Sequence, residues 1–380
     1  MRNLVKVIAL SVVISILASS GVLAAKEIKI GGLFALSGKA ANIGITTKQV
    51  ADMVIDDINR KGGINGAKLK LVVADTRSEP SQAVVALKKL IQRDKVSAIC
   101  GPTTTGEIMA CMETINAAKI PTVACVGSAA PVTPVRPWVF KTPQKSSSAI
   151  ASIYQYLSKK GIKKIAILTA TDKFGQEGEE LLKELALSYK MKIVAHEKFD
   201  PTDADMSVQV GKIAAKKPQA MIVWTIGPAG GVIAKNARQL KVKFMVMQCH
   251  GQPDPIYLKV AGSAANGTVM PSTKLMVASQ LPKSDPQRKI ELAFAKEYVK
   301  RGYGQYGTHS GYAWDAIQLI ANAMKKVGTD PAKVRSAIEH TKNYVGVSGI
   351  YNMSPKDHCG LDSTSLVMIT VKNGKWTLIK

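Results

Sequence analysis

Two small-residue turns carry the side chains best placed to do chemistry. In GPTTTGE, residues 101–107, three threonines end a short apolar run and directly precede a helical pattern with Ile108, Met112 and Ile115 on one side. A helix start leaves backbone N–H groups unpaired and carries positive dipole, so the turn suits an anion, with threonine hydroxyls as further donors. The plainer alternative is that Thr104 or Thr105 only caps the helix. CVGSAAP, residues 125–131, is a second such turn, holding Val126, Gly127 and Ser128 at the carboxyl end of the next apolar run. Ligands of open α/β sheets gather at strand ends of this kind.

Three further turns repeat the arrangement: TDKFGQEG (171–178) with Phe174, TIGPAGG (225–231) with Gly227 and Pro228, and QCHGQPDP (248–255) with His250 and Gly251. Cys249 beside His250 invites a nucleophilic reading, a thiolate activated by imidazole. Neighbours in an extended segment point to opposite sides, however, and cannot easily bond each other. The sequence has no Gly-x-Ser-x-Gly and no phosphate loop, and no CxxC or Cys/His spacing that would hold zinc. These residues read as a binding protein, not an enzyme, with no cofactor.

The elements that position the turns alternate in type. Ile28 to Asp75 reads as strand, loop, helix, glycine turn and strand: Ile28 and Ile30 lead into GGLF, Val50, Met53, Val54 and Ile58 recur at helical spacing, and Leu69, Leu71 and Val73 alternate. Strands at 96–100 and 122–125 and helices from Pro80 and over 106–118 continue the series. The rhythm restarts with strands at 165–168, 193–195, 221–224 and 244–247, which predicts an α/β protein of two doubly wound parallel-sheet lobes. From Asp285 it changes to consecutive helices, over 287–301, 309–326 and from Asp330-Pro331 to 340.

The opening, with its loop SGKAANIG, closely resembles that of the type I periplasmic solute-binding proteins, the branched-chain amino acid receptor family of ABC importers. The late block NYVGVSGIYNMSPKDHCGL, residues 343–361, resembles the same family. The resemblance implies three short crossings that form a hinge, near 142–146, 271–275 and 352–356. One lobe would then comprise 26–145 and 275–353, the other 146–274 and 354–380. It implies that Thr105, next to Thr104, meets a ligand carboxylate, that Val126 and Ser128 make backbone and hydroxyl contacts, and that Phe174 covers the ligand, with Ile43 another apolar wall. A core role for Phe174 and an ordinary tight turn at 125–131 are the alternatives. Where amino acid receptors carry an acidic residue for the ligand ammonium, this chain has Gln248 to Gly251, and Lys145 follows the first crossing. An apolar carboxylate without an ammonium, aromatic or keto, is therefore favoured over leucine, isoleucine or valine, unless Asp172 or Asp254 turns into the cleft. The implied partners are this small-molecule ligand and the permease subunits of an ABC importer; a sensory receptor subunit for a membrane kinase or chemoreceptor is the other class.

Composition sets the frame. Arg2 and Lys6, the apolar run Val7–Leu17 and Val22-Leu23-Ala24 read as a signal peptide over residues 1–24, so a periplasmic, monomeric protein is expected. The net charge of +25 falls to +23 without Arg2 and Lys6. Its lysines lie singly or in pairs on polar helix faces and aromatics make up only 5%, which reads as a solvated surface and not as a nucleic-acid site. Five cysteines leave at least one unpaired; a bridge between Cys100 and Cys125 competes with burial as small apolar side chains.

Overall fold

Apolar strands and amphipathic helices alternate along the chain to build two parallel sheets. The computed structural model describes residues 27–379, so the export segment read at 1–24 lies outside the described residues. The first sheet holds β1 (Glu27–Phe34), β2 (Lys68–Asp75), β3 (Ala98–Cys100), β4 (Thr122–Ala124) and β5 (Val139–Lys141), in the order β2-β1-β3-β4-β5. All its pairs are parallel, with α1 (Ala41–Arg60), α2 (Pro80–Gln92) and α3 (Thr105–Ala118) as the crossovers. Gly44 lets α1 press close, since a Cβ there would overlap the Ala35 carbonyl oxygen.

The chain then enters α4 (Ser146–Lys159) and a second sheet. Here β6 (Lys164–Ala170), β7 (Lys192–Phe199), β8 (Ala220–Trp224), β9 (Met245–Gln248) and β10 (Val269–Thr273) alternate with α5 (Lys173–Ser188), α6 (Ser207–Ala215), α7 (Ala229–Gln239) and α8 (Pro255–Ala261). After α9 (Arg288–Lys300), α10 (Thr308–Val327), α11 (Pro331–Glu339) and a two-stranded ribbon of β11 (Tyr344–Val345) and β12 (Ile350–Tyr351), the chain returns to this sheet. There β13 (Leu366–Lys372) and β14 (Lys375–Leu378) complete the order β14-β13-β10-β9-β8-β6-β7. Both added strands pair antiparallel, an arrangement the helical reading of the last hundred residues did not foresee.

Two cores follow from this path. Ile30, Ile99 and Phe140 of the first sheet and Val54 of α1 pack with Ile317 and Ile320 of α10, while Ile150, Ile165, Ile222 and Met247 pack in the second lobe. Cys359 and Leu361, which follow the 352–356 crossing that the resemblance implies, pack in the first core. The physical cause is His358, whose ring stacks on Phe140 at 4.2 Å and bonds the Val139 carbonyl at 2.9 Å, so the segment lies along β5. All five cysteines are buried and free; Cys100 meets Cys125 at neighbouring strand ends, and that contact and burial push its thiol well up.

A buried polar knot ties the first crossing to α10 and the segment 347–351. Asp315 of α10 accepts the N–H of Val347 at 2.8 Å and that of Ser348 at 2.7 Å, with the Tyr351 hydroxyl at 3.0 Å. Tyr351 also donates to the Thr142 carbonyl at 2.8 Å, and Gln144 Nε2 to the Ser348 carbonyl at 2.6 Å. Burial raises the Asp315 carboxyl to about 6 against these bonds, which favour its anion.

Nearby, Glu291 of α9 is fully buried with neither carboxylate oxygen bonded among the described residues, and burial, then Asp285, push it to about 8. The folded protein thus keeps a proton that the unfolded chain releases near the ordinary value of 4.5. Stability should fall as pH rises through that interval, with a slope approaching ~1.4 kcal/mol per unit. Between pH 7 and 8, above the Asp315 range and above the ordinary histidine range that the buried His250 and His309 leave on folding, the urea midpoint of the wild type should fall relative to that of Glu291→Gln; a constant difference would show that the proton is held elsewhere.

Candidate ligand-binding site

Parallel strands deliver their connecting turns to one edge of each sheet, and those two edges face each other across a cleft. Its outer chamber, about 480 Å³, is walled by Ile43, Pro80 and Thr104–Gly106 from the first lobe and by Asp172–Phe174, Ile226–Pro228 and Val232 from the second. A constricted inner chamber of about 20 Å³ lies behind it, between Thr103–Thr105, Val126 and Gly127 on one side and Phe174, His250 and Gly251 on the other. Thr104, Thr105, Phe174 and Ile226 border both. The structure thus brings together Ile43, Thr104, Thr105, Val126, Gly127, Phe174, Gly227, Pro228, His250 and Gly251.

The three threonines have separate tasks. Thr103 accepts the Ala35 N–H at 3.2 Å, which ties the turn to the loop after β1. Thr104 is the N-cap of α3: its hydroxyl accepts the Glu107 N–H at 3.4 Å while Glu107 accepts the Thr104 N–H at 3.0 Å. Thr105, the first residue of the helix, lies outside this capping box and faces both chambers. Capping thus falls to Thr104, while both Thr104 and Thr105 border the two chambers.

In the second lobe, Phe174, Trp224 and His250 form an aromatic group with ring centres 5.6 to 6.0 Å apart. Burial, and next the Lys141 charge, hold the His250 imidazole down at about 3, so it is neutral, and neither ring nitrogen has a partner among the described residues. Cys249 points the other way, its thiol 3.0 Å from the Thr225 carbonyl and pushed to about 12 by burial. That is no thiolate nucleophile. Asp172 and Asp254 are both helix caps, accepting the N–H of Gly175 at 2.8 Å and of Ile256 at 3.0 Å; Asp172 nonetheless borders the outer chamber.

Three placements depart from the sequence reading. Ser128 lines neither chamber; it is buried and its hydroxyl accepts the Ala130 N–H at 3.1 Å, as a tight turn requires. Lys145 also lines neither chamber and pairs with Asp357 at 3.1 Å. The cation behind the turn is instead Lys141, fully buried, donating to the Gly127 and Gln144 carbonyls at 3.0 Å each and lowered by burial to about 8. Its position at the end of β5 gave no sequence signal, and nor did Tyr312 and His309 of α10, which close the inner chamber. Among the described residues no group of His, Cys, Asp and Glu is arranged to hold a metal, and no helix is long and apolar enough to cross a membrane.

Two facing parallel-sheet lobes with strand-end turns around a common cleft define a periplasmic binding protein of type I. The chain belongs to the periplasmic binding protein family, which it matches over residues 27–375. It is 24% identical to a Leu/Ile/Val-binding protein, BraC3, of Rhizobium johnstonii over 84% of this chain and 85% of that one. The substrate-binding protein LivJ of Streptococcus pneumoniae, solved with isoleucine, superposes with a TM-score of 0.82 at 26% identity, covering 92% of this chain and 98% of that one. A solute-binding protein of Rhodopseudomonas palustris, solved with 3,4-dihydroxybenzoic acid, shares the fold with a TM-score of 0.78 at 22% identity, over 93% and 96% of the two chains.

The division of labour between adjacent threonines is open to test by thermal denaturation. Thr104→Ala should lower stability by about 1 kcal/mol, the usual cost of losing an N-cap, while Thr105→Ala should leave the melting temperature within error. Equal losses would place Thr105 in the cap as well.

Proposed function

We propose that the protein is the substrate-binding subunit of an ABC importer, acting as a monomer in the periplasm, and that it captures a small apolar carboxylate lacking an obligatory ammonium. The observation that carries this reading is the inner chamber. It joins threonine hydroxyls and the start of α3, which suit a carboxylate, to a neutral imidazole, and no acidic side chain borders it. An ammonium buried there would have no anionic partner and would be strongly disfavoured. The outer chamber, with Ile43, Pro80, Phe174 and Val232, accommodates a branched or aromatic body.

In this reading the lobes, 27–141 with 275–361 and 146–274 with 366–379, close on the ligand about the crossings, and the closed pair docks on the permease. Ligand drives closure by binding the closed state better than the open one. ATP hydrolysis belongs to other subunits, and this chain performs no chemistry on its ligand. The neutral, enclosed His250 and the raised Cys249 thiol support that.

A thermal-shift panel tests the ligand class, since ligand at ~100 times its dissociation constant adds about 2.7 kcal/mol of stability. 4-Methyl-2-oxopentanoate or 3,4-dihydroxybenzoate should raise the melting temperature; a rise with leucine, isoleucine or valine alone would overturn the choice. For the acid that binds, Thr105→Ala should weaken affinity about ten- to a hundredfold by calorimetry, the loss expected for one charge-assisted hydrogen bond. Unchanged affinity would remove Thr105 from the site. Small-angle scattering should report a smaller radius of gyration with that acid than without it.

A further inference from the structure

We propose that Glu177 is a positioning residue that latches the second lobe onto the turn 127–130 of the first, holding the protein closed before any ligand contact is made. Glu177 stands on α5, and its Oε1 accepts the N–H of Ala129 at 2.6 Å and of Ala130 at 3.2 Å, beside the cleft chambers and not within their lining. Its Oε2 accepts the Ser146 hydroxyl at 2.9 Å, which fixes the carboxylate from its own lobe. The same hydroxyl lies 3.3 Å from the Gly127 carbonyl, and Lys141 holds that carbonyl from below. A carboxylate accepting backbone N–H groups forms bonds about twice as strong as neutral ones. Ala130 retains the Ser128 hydroxyl as a second acceptor, whereas the Ala129 N–H has only Glu177 among the described residues.

The same face is in close register elsewhere. A Cβ on Gly127 would stand 2.6 Å from His250 Nε2 and 3.4 Å from the Phe174 ring, so the turn meets the second lobe along its length only because that residue is glycine. The latch therefore fastens two surfaces that already fit, and its release frees Gly127 from His250 and widens the inner chamber. The inference rests on the lobe-closure reading above, because a latch has meaning only if the lobes separate.

The test compares the full mature chain, stripped of ligand by unfolding and refolding, as wild type, Glu177→Gln and Glu177→Ala, using scattering and hydrogen exchange of the segment 126–132. In the wild type the Ala129 amide should exchange at least about tenfold more slowly than in Glu177→Ala, and the Ala variant should have the larger radius of gyration. Glu177→Gln should fall between, since its amide oxygen still accepts; it carries the comparison alone if the Ala variant does not fold. Equal exchange in wild type and variants would overturn the latch. So would faster exchange with no change in radius, which would mean that Glu177 orders the turn without holding the lobes. Adding 3,4-dihydroxybenzoate or 4-methyl-2-oxopentanoate separates the two readings: compaction of Glu177→Ala by either acid keeps lobe closure whether or not the latch stands.

Discussion

The structure turns on one buried carboxylate. Asp315 gathers two consecutive amides and a tyrosine hydroxyl from the segment 347–351, and that tyrosine reaches on to the carbonyl of Thr142 in the first crossing. Because Asp315 sits on α10, whose Ile317 and Ile320 lie in the first core, the first crossing and the segment 347–351 are anchored to the same helix. A charge at this depth is sustained only by full hydrogen bonding, so the knot is all-or-none in character. It fixes where the first crossing leaves the first lobe.

The cleft in turn divides its polar work by depth. Near the solvent, Lys39, Asp172, Lys173 and Asp203 border the outer chamber; deeper in, hydroxyls, a helix start and a neutral imidazole remain. Charged groups close to the inner chamber are already committed, Lys141 to two carbonyls and Glu177 to two amides. Such a site discriminates by the cost of leaving a buried polar group unmatched more than by the strength of any one attraction.

Much of this was legible in the residues. Strand-to-helix turns such as GPTTTGE and TIGPAGG announce themselves through small residues at the carboxyl ends of apolar runs, and a parallel sheet then brings them together. Which threonine caps α3 was not legible, since Thr104 and Thr105 differ by one position in a turn whose start only coordinates fix. Lys141 escaped notice because a lysine in VFK looks like any solvated lysine until burial is known. The terminal hairpin was missed although Asn373-Gly374 supplied the two-residue turn such hairpins favour, both residues having positive φ. Attention to helical spacing from 285 onwards masked the alternation in LVMITVK.

The cysteines bear on the history of the chain more than on its working state. In the folded protein all five are enclosed, and burial raises the thiols of Cys111, Cys249 and Cys359. Thiol–disulfide exchange needs both thiolate and access, and the native structure withholds both. The hazard is thus confined to the interval before folding, when five exposed sulfurs have no correct pairing to find. Survival as a fully reduced protein becomes a kinetic race, won by a chain that buries Cys100 and Cys125 in its first sheet before either is captured.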